Sequence, residues 1–112
     1  MVLMAIIRIA SIGELPQGTL FQRETSGGPV ALCNHKGTIH AFDGRCPHHG
    51  GPLGQGNLVD GCIVCPWHGW EFSVERGELD YNPGIKLRRY SVSVDGNSVF
   101  VEVPDEKPPA AS

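Results

Sequence analysis

The sequence lacks an apolar run long enough to cross a membrane, and it lacks an excess of positive charge. Nothing approaches the 18 or more consecutive apolar residues that a membrane-spanning helix needs. Twelve acidic residues against nine basic residues give a formal charge of −3, whereas nucleic-acid-binding domains usually show a basic excess. We therefore expect neither a membrane nor a nucleic acid as a partner.

We expect no secretory signal from the first residues of the sequence. Residues 1–8 are mostly apolar, but they carry no basic segment at their start, and Arg8 interrupts them well before a signal-peptide length is reached. We therefore expect a soluble cytoplasmic protein. In a reducing compartment the four cysteines are expected to be metal ligands or thiols rather than disulfides.

Long helices have little room, because 15 glycines and 9 prolines leave no stretch longer than 12 residues free of both. Residues 90–94 alternate between apolar and polar, residues 95–98 supply a turn, and residues 99–103 return, which predicts a hairpin. Further strands are predicted at 6–10, 19–23, 29–33, 38–42, 57–59, 63–64 and 70–74. This pattern predicts one all-β domain over 1–103, a small antiparallel sandwich or barrel, with a flexible tail over 104–112.

Two short boxes carry the residues with metal chemistry. Residues 46–54 are Cys-Pro-His-His-Gly-Gly-Pro-Leu-Gly, and residues 65–72 are Cys-Pro-Trp-His-Gly-Trp-Glu-Phe. Each box offers one thiolate and one imidazole, from Cys46 with His48 and from Cys65 with His68. Two such loops facing each other can hold a two-iron cluster, with thiolates on one iron and imidazoles on the other. Glycines in both boxes allow backbone N–H groups to approach the cluster sulfurs.

The ligand charges affect the ease of reduction. Two ferric ions, two bridging sulfides and two thiolates sum to about zero, whereas four thiolates would give about −2. An electron is added more easily to the neutral cluster. Two imidazoles in place of two thiolates therefore raise the reduction potential.

The pattern C-x-H, sixteen residues and C-x-x-H, with proline after each cysteine, resembles the Rieske [2Fe-2S] family. The resemblance implies an all-β fold whose two cluster loops project from one end. It implies that Cys46 and Cys65 bind the inner iron and that His48 and His68 bind the outer, more exposed iron. It also implies that residues 82–84, Asn-Pro-Gly, form a proline loop that shields the cluster.

The sequence departs from the respiratory members of that family. Those proteins carry a disulfide at the positions of Gly51 and Trp67, and hydroxyl donors to cluster sulfur at the positions of Trp70 and Phe72. The chain instead resembles the Rieske-type ferredoxins of bacterial aromatic-ring oxygenases. It would carry single electrons from a flavin-containing reductase to a terminal oxygenase and catalyse no reaction alone. The resemblance implies a contact surface at the histidine edge, rimmed by Gly50, Gly51, Pro52, Leu53, Trp67 and Pro83.

Two other hypotheses remain open at this stage. The chain could be a stable subunit of a larger enzyme, since residues 50–53 are similar to the small subunit of assimilatory nitrite reductases. It could also be a structural zinc module built from Cys46, Cys62, Cys65 and a histidine. We expect Cys33 and Cys62 to be small buried residues instead. The other polar residues considered, His35, His40, His49 and the basic group Lys86, Arg88 and Arg89, are expected at the solvated surface.

The missing hydroxyl donors predict a low reduction potential for a Rieske centre. Each hydrogen bond to cluster sulfur stabilises the more negative reduced state, so the loss of two such bonds lowers the potential. We expect a value of roughly −150 mV, the lower end of the Rieske range. A redox titration monitored by visible absorption measures it, and a value above zero would contradict this prediction.

Overall fold

Antiparallel strands form nearly all of the regular structure, as the period-two patterns predict. The structure is a computed structural model that describes residues 3–47, 50–67, 69–79 and 82–104. The strands are β1 Met4–Ser11, β2 Leu20–Thr25, β3 Gly28–His35, β4 Thr38–Asp43, β5 Asn57–Val59, β6 Cys62–Val64, β7 Glu71–Ser73, β8 Glu78–Leu79, β9 Asn82–Lys86, β10 Arg89–Tyr90, β11 Val92–Asp95 and β12 Ser98–Pro104, with short 3-10 helices at Ile12–Glu14 and Leu53–Gln55. Within these ranges no helix has the length and apolar character of a membrane span.

Tight two-residue turns set the register of two hairpins. Lys36 and Gly37 join β3 to β4 with φ angles of +55° and +88°, and Asp60 and Gly61 join β5 to β6 with +49° and +78°. Consecutive positive φ angles are typical of the type I′ turn, whose twist matches that of the flanking strands. The C-terminal hairpin of β11 and β12 is confirmed.

The strands form three stacked sheets, in the orders β1-β12-β11, β10-β4-β3-β2 and β5-β6-β7-β8-β9. The middle sheet is buried on both faces, which explains why β3 is a continuous apolar run rather than an alternating one. Val30 and Leu32 of β3 pack in one core with β1 and β12, while Ala31 and Cys33 pack in the other core with β6 and β7. The all-β antiparallel fold is thus confirmed, with three sheets rather than the two of a simple sandwich.

The core between the middle sheet and the five-stranded sheet, hereafter the second core, contains the predicted cysteine ligands. It contains Cys46 and Cys65 together with side chains from the middle and five-stranded sheets. Its fully buried members include Phe42, Leu53, Ile63, Phe72 and Val74. The fold therefore brings both cysteine boxes to one apolar core between two sheets.

Most strand boundaries differ from the sequence predictions by one or two residues, and three differences affect the architecture. Residues 82–84, expected as a proline loop, begin β9, which pairs with β8, and neither strand was predicted. β3 continues to His35 because it pairs with β4 from Val30 to His35. β12 includes Pro104, which was predicted as the first residue of the tail but is buried opposite Met4. The predicted tail from 105 to 112 lies outside the described residues.

Arg89 ties the middle sheet to the five-stranded sheet. Its guanidinium lies 4.7 Å from the centre of the Phe42 ring and donates to the Val74 carbonyl over 2.6 Å and to the Glu75 carbonyl over 3.1 Å. It also donates to His40 Nδ1 over 2.8 Å. The prediction of a solvated side chain was therefore wrong for His40, which is half-buried, whereas Arg89 is exposed as predicted. The Arg89 guanidinium thus holds the turn after β7 against β4 and β10.

The contact between Arg89 and His40 predicts a pH dependence of stability. An arginine can only donate, so Nδ1 accepts and the His40 imidazole is neutral in the fold. Desolvation by burial, the Arg89 guanidinium and His35 lower the pKa of His40, against a smaller raising effect of Glu75. Below the ordinary pKa of about 6.5 the unfolded state therefore binds more protons than the folded state. The free energy of unfolding should fall as the pH drops below about 6.5.

Urea unfolding of wild type and His40→Gln at pH 7.5 and pH 5 measures this effect. The variant should lose less stability between the two pH values than the wild type. Other acid-sensitive groups are common to both proteins and cancel in the comparison. Equal losses in the two proteins would contradict the prediction.

Candidate metal centre

Two loops, after β4 and β6, carry the predicted cysteine ligands. The Cys46 N–H donates to the Gly51 carbonyl over 2.9 Å, and the Cys65 N–H donates to the Trp70 carbonyl over 2.8 Å. Both hydrogen bonds span five residues, so the two loops close in the same way. Each cysteine therefore occupies the first position of a closed loop.

A glycine lies four residues after each cysteine. Gly50 has a φ angle of +72° and Gly69 one of +70°, in the left-handed region that favours glycine. A Cβ at either position would meet no atom within 4 Å, so backbone conformation rather than space requires the glycine. The Gly50 N–H donates to the Cys46 carbonyl over 2.7 Å. We expected this N–H to approach a cluster sulfur, but it closes the loop instead.

Both cysteine side chains are on the inner side of their loops. Cys46 is 2% exposed and Cys65 is 1% exposed, within the second core. The neighbouring Pro47 and Pro66, in contrast, are exposed. Any metal bound by these thiols would lie between the apolar core and an exposed loop surface.

The two loops contact each other through Gly51 and Trp67. A Cβ at Gly51 would lie 2.9 Å from Trp67 Cδ2 and 3.2 Å from the Cys65 sulfur. The backbone of the first loop thus lies directly against the ring and the thiol of the second. Gly51 is buried in this contact, and Trp67 is 49% exposed.

A hydrogen-bonded stem supports the first loop. Arg45 pairs with Pro52 across it, and the Leu53 N–H donates to the Gly44 carbonyl over 2.9 Å. Leu53 is fully buried, so the predictions that Leu53 and Gly51 lie on a contact rim were wrong. Sequence alone could not separate these buried positions from the exposed ones in the same Gly/Pro-rich run.

The structure brings together two of the four predicted ligands. Cys46 and Cys65 share one core, while His48 and His68, like His49, lie outside the described residues. Among the described residues no group of three or more His, Cys, Asp or Glu side chains could hold a metal ion. The complete ligand set stays a prediction.

The zinc alternative is not supported, because its three cysteines do not meet. Cys46, Cys62 and Cys65 are all described, yet they form no candidate metal group. Cys62 begins β6 and lines an open cavity of about 550 Å³ with His35 and Glu75. The expectation that Cys62 is a buried core residue was therefore wrong.

Cys33 does lie in the core, as expected. It is fully buried within the central sheet, and desolvation raises the pKa of its thiol to about 12. A thiol with this pKa stays protonated and neutral, so it is a poor metal ligand.

Comparison with known proteins identifies the family. Residues 5–91 match the profile of the Rieske [2Fe-2S] domain. The chain belongs to the Rieske [2Fe-2S] family. Its cofactor is a [2Fe-2S] cluster.

Among curated Rieske relatives, the ferredoxin component of biphenyl 2,3-dioxygenase from Rhodococcus jostii is 31% identical over 101 residues, which cover 89% of this chain and 94% of the relative. Human apoptosis-inducing factor 3 is 34% identical over 94 residues, 83% of this chain. The chain spans only 16% of that longer protein. Rieske domains thus occur both as small proteins and as parts of large ones.

A solved Rieske structure has the same fold. In the complex of reduced oxygenase and oxidised ferredoxin of carbazole 1,9a-dioxygenase, the matching chain is 26% identical with a TM-score of 0.78. The match covers 92% of this chain and 95% of that chain.

The described residues fit a Rieske cluster. A Rieske cluster needs two cysteine thiolates. Cys46 and Cys65 would supply them from equivalent positions of two separate loops within one core. The positions that form a disulfide in respiratory members are in contact here as Gly51 and Trp67. The two loops are therefore joined here by the packing of Trp67 on Gly51 instead of by a disulfide.

Proposed function

We propose that this protein is a one-electron carrier that accepts electrons from a flavin-containing reductase and delivers them to a terminal oxygenase. The observation that carries the proposal is the burial of Cys46 and Cys65 directly beneath loops whose outer residues are exposed. A [2Fe-2S] cluster takes up and releases one electron without a substrate bond being made or broken. The role of the chain is to hold this group close to a surface that a partner can reach.

We propose that Cys46 and Cys65 bind the inner iron as thiolates and that His48 and His68 bind the outer iron as neutral imidazoles. Support for the cysteines comes from their burial at equivalent loop positions. Support for the histidines comes from their places in the same closed loops, before Gly50 and Gly69 respectively, where neighbouring residues are exposed. This set keeps sulfur donors in the core and nitrogen donors nearest the partner.

We propose the outer surface of the two loops as the docking site for both partners. Its exposed residues are Pro47, Gly50, Pro66, Trp67 and Gly69. A carrier must release each partner in every cycle, which requires a small interface of the kind found in redox encounters. Trp67 offers this interface an exposed aromatic ring, a residue type enriched at binding hot spots. We also propose a reducing cytoplasmic location, in which the four cysteines, none of them in a disulfide, stay available as thiols or metal ligands.

Substitution of adjacent histidines tests the ligand set. His48→Ala should lose the two irons and the Rieske electron paramagnetic resonance signal, because it removes a proposed ligand. His49→Ala changes the neighbouring residue of the same type and should keep both. Iron and acid-labile sulfide are measured on the purified proteins, and equal cluster content in the two variants would overturn the assignment.

The elution of the native protein tests the carrier role against the stable-subunit alternative. Protein tagged in its own host and purified in low salt should elute near its monomer mass of 12.1 kDa and accept one electron per chain in a reductive titration. A large partner that stays bound in equal amount through high salt would instead indicate a subunit of a larger enzyme.

A further inference from the structure

The backbone of Gly51 in the first cysteine loop lies close against the Trp67 ring of the second. We propose that Trp67, seated on Gly51, is a positioning residue that sets the environment of the Cys65 sulfur and shields it from water. The inference rests on the proposed electron-carrier function. It holds that a contact outside the ligand set tunes the reduction potential of the cluster. Carbon atoms in favourable contact lie about 3.5 to 4.0 Å apart, so the 2.9 Å distance leaves no room for a side chain at position 51.

Space, not backbone conformation, fixes glycine at position 51. Gly51 does not adopt the left-handed φ of its neighbour Gly50. A Cβ at Gly51 would press on the Trp67 ring and on the Cys65 sulfur at 3.2 Å, whereas one at Gly50 would meet no atom within 4 Å. The two adjacent glycines therefore serve different purposes.

The same distances place the Trp67 ring beside the sulfur. Ring carbons at 2.9 and 3.0 Å and the Cys65 sulfur at 3.2 Å all surround one point, the missing Cβ of Gly51. Cys65 is only 1% exposed while Trp67 beside it is 49% exposed, and we infer that the ring covers this sulfur on its solvent side. The Trp67 ring does not serve to fill the core, because about half of its surface is exposed.

Shielding by an apolar ring has a definite electrostatic sign. The reduced cluster carries one more negative charge than the oxidised cluster, and water stabilises that charge better than an aromatic ring does. Solvent access and the surrounding shell are known means of tuning a metal site. Removal or displacement of the Trp67 ring should therefore raise the reduction potential.

Three variants and their potentials test the inference. Trp67→Ala and Gly51→Ala should each raise the reduction potential, the first by removing the ring and the second by displacing it. Trp67→Phe should keep a ring on Gly51 and give a value closer to the wild type. Because the two sites act through one contact, the double variant should shift the potential by less than the two single shifts combined.

Gly13→Ala is the matched control, since it adds a methyl group in open space at a glycine that does not have a left-handed φ. Combined with Trp67→Ala, it should give additive shifts. Iron release to a chelator is a second readout, and we expect Gly51→Ala to lose iron about tenfold faster, the scale of outer-shell substitutions at metal sites. If Gly51→Ala does not fold, Trp67→Ala and Trp67→Phe still decide the matter, because they shorten a half-exposed side chain.

The failure of this inference can be told apart from that of the proposed function. A wild-type protein without two irons, or without a reversible one-electron reduction, would overturn the carrier function itself. A wild-type protein that passes both tests, with potentials unchanged in Trp67→Ala and Gly51→Ala, would overturn only the positioning role of Trp67.

Discussion

The closure of each cysteine loop by a backbone hydrogen bond is the constraint on which the candidate centre depends. The Cys46 and Cys65 N–H groups bond to carbonyls five residues later, which fixes the start of each loop. The proline after each cysteine has a restricted φ and no N–H of its own, so it stiffens the loop without competing for the closing carbonyl. The backbone thus orders both thiols in advance, so less conformational entropy is lost when the cofactor binds.

The double-sided middle sheet explains why these loops meet. Since β3 and β4 bury both faces, the five-stranded sheet can pack on one face while β1, β12 and β11 cover the other. Arg89 and Phe42 then join the middle sheet to the turn after β7. The two loops arise from different sheets, and their relative position is therefore only as firm as the packing between those sheets.

The sequence predicted most strands and the two boxes because their signals are local. Alternation and turn residues identify β11 and β12 without any tertiary information, and cysteine, proline and glycine at short spacing identify the loops. β8 and β9 were missed because they are held by pairing with each other rather than by their own composition. Pro83 has no backbone N–H to donate to a neighbouring strand, so its residue type is not typical of a strand.

Burial of individual residues was harder to predict than strand position. Leu53 and Gly51 belong to a run whose composition is typical of an exposed loop, yet contacts with other segments bury them. His40 is polar and was expected in solvent, but it is half-buried and accepts a hydrogen bond from Arg89 on the neighbouring strand. Such pairings depend on residues 49 positions apart, so no window along the chain can show them.

Two opposite effects meet at the candidate centre. The proposed neutral histidine ligands would make an electron easier to add, while the apolar shell around the cysteines makes the added charge harder to stabilise. That shell includes Phe72, which is fully buried in the core of the cysteines, and Trp70, whose ring is centred 6.4 Å from that of Phe72. Neither side chain can donate the hydroxyl hydrogen bonds of the respiratory proteins. An electron held in this environment is released more readily, which suits a carrier that must give it up at every encounter.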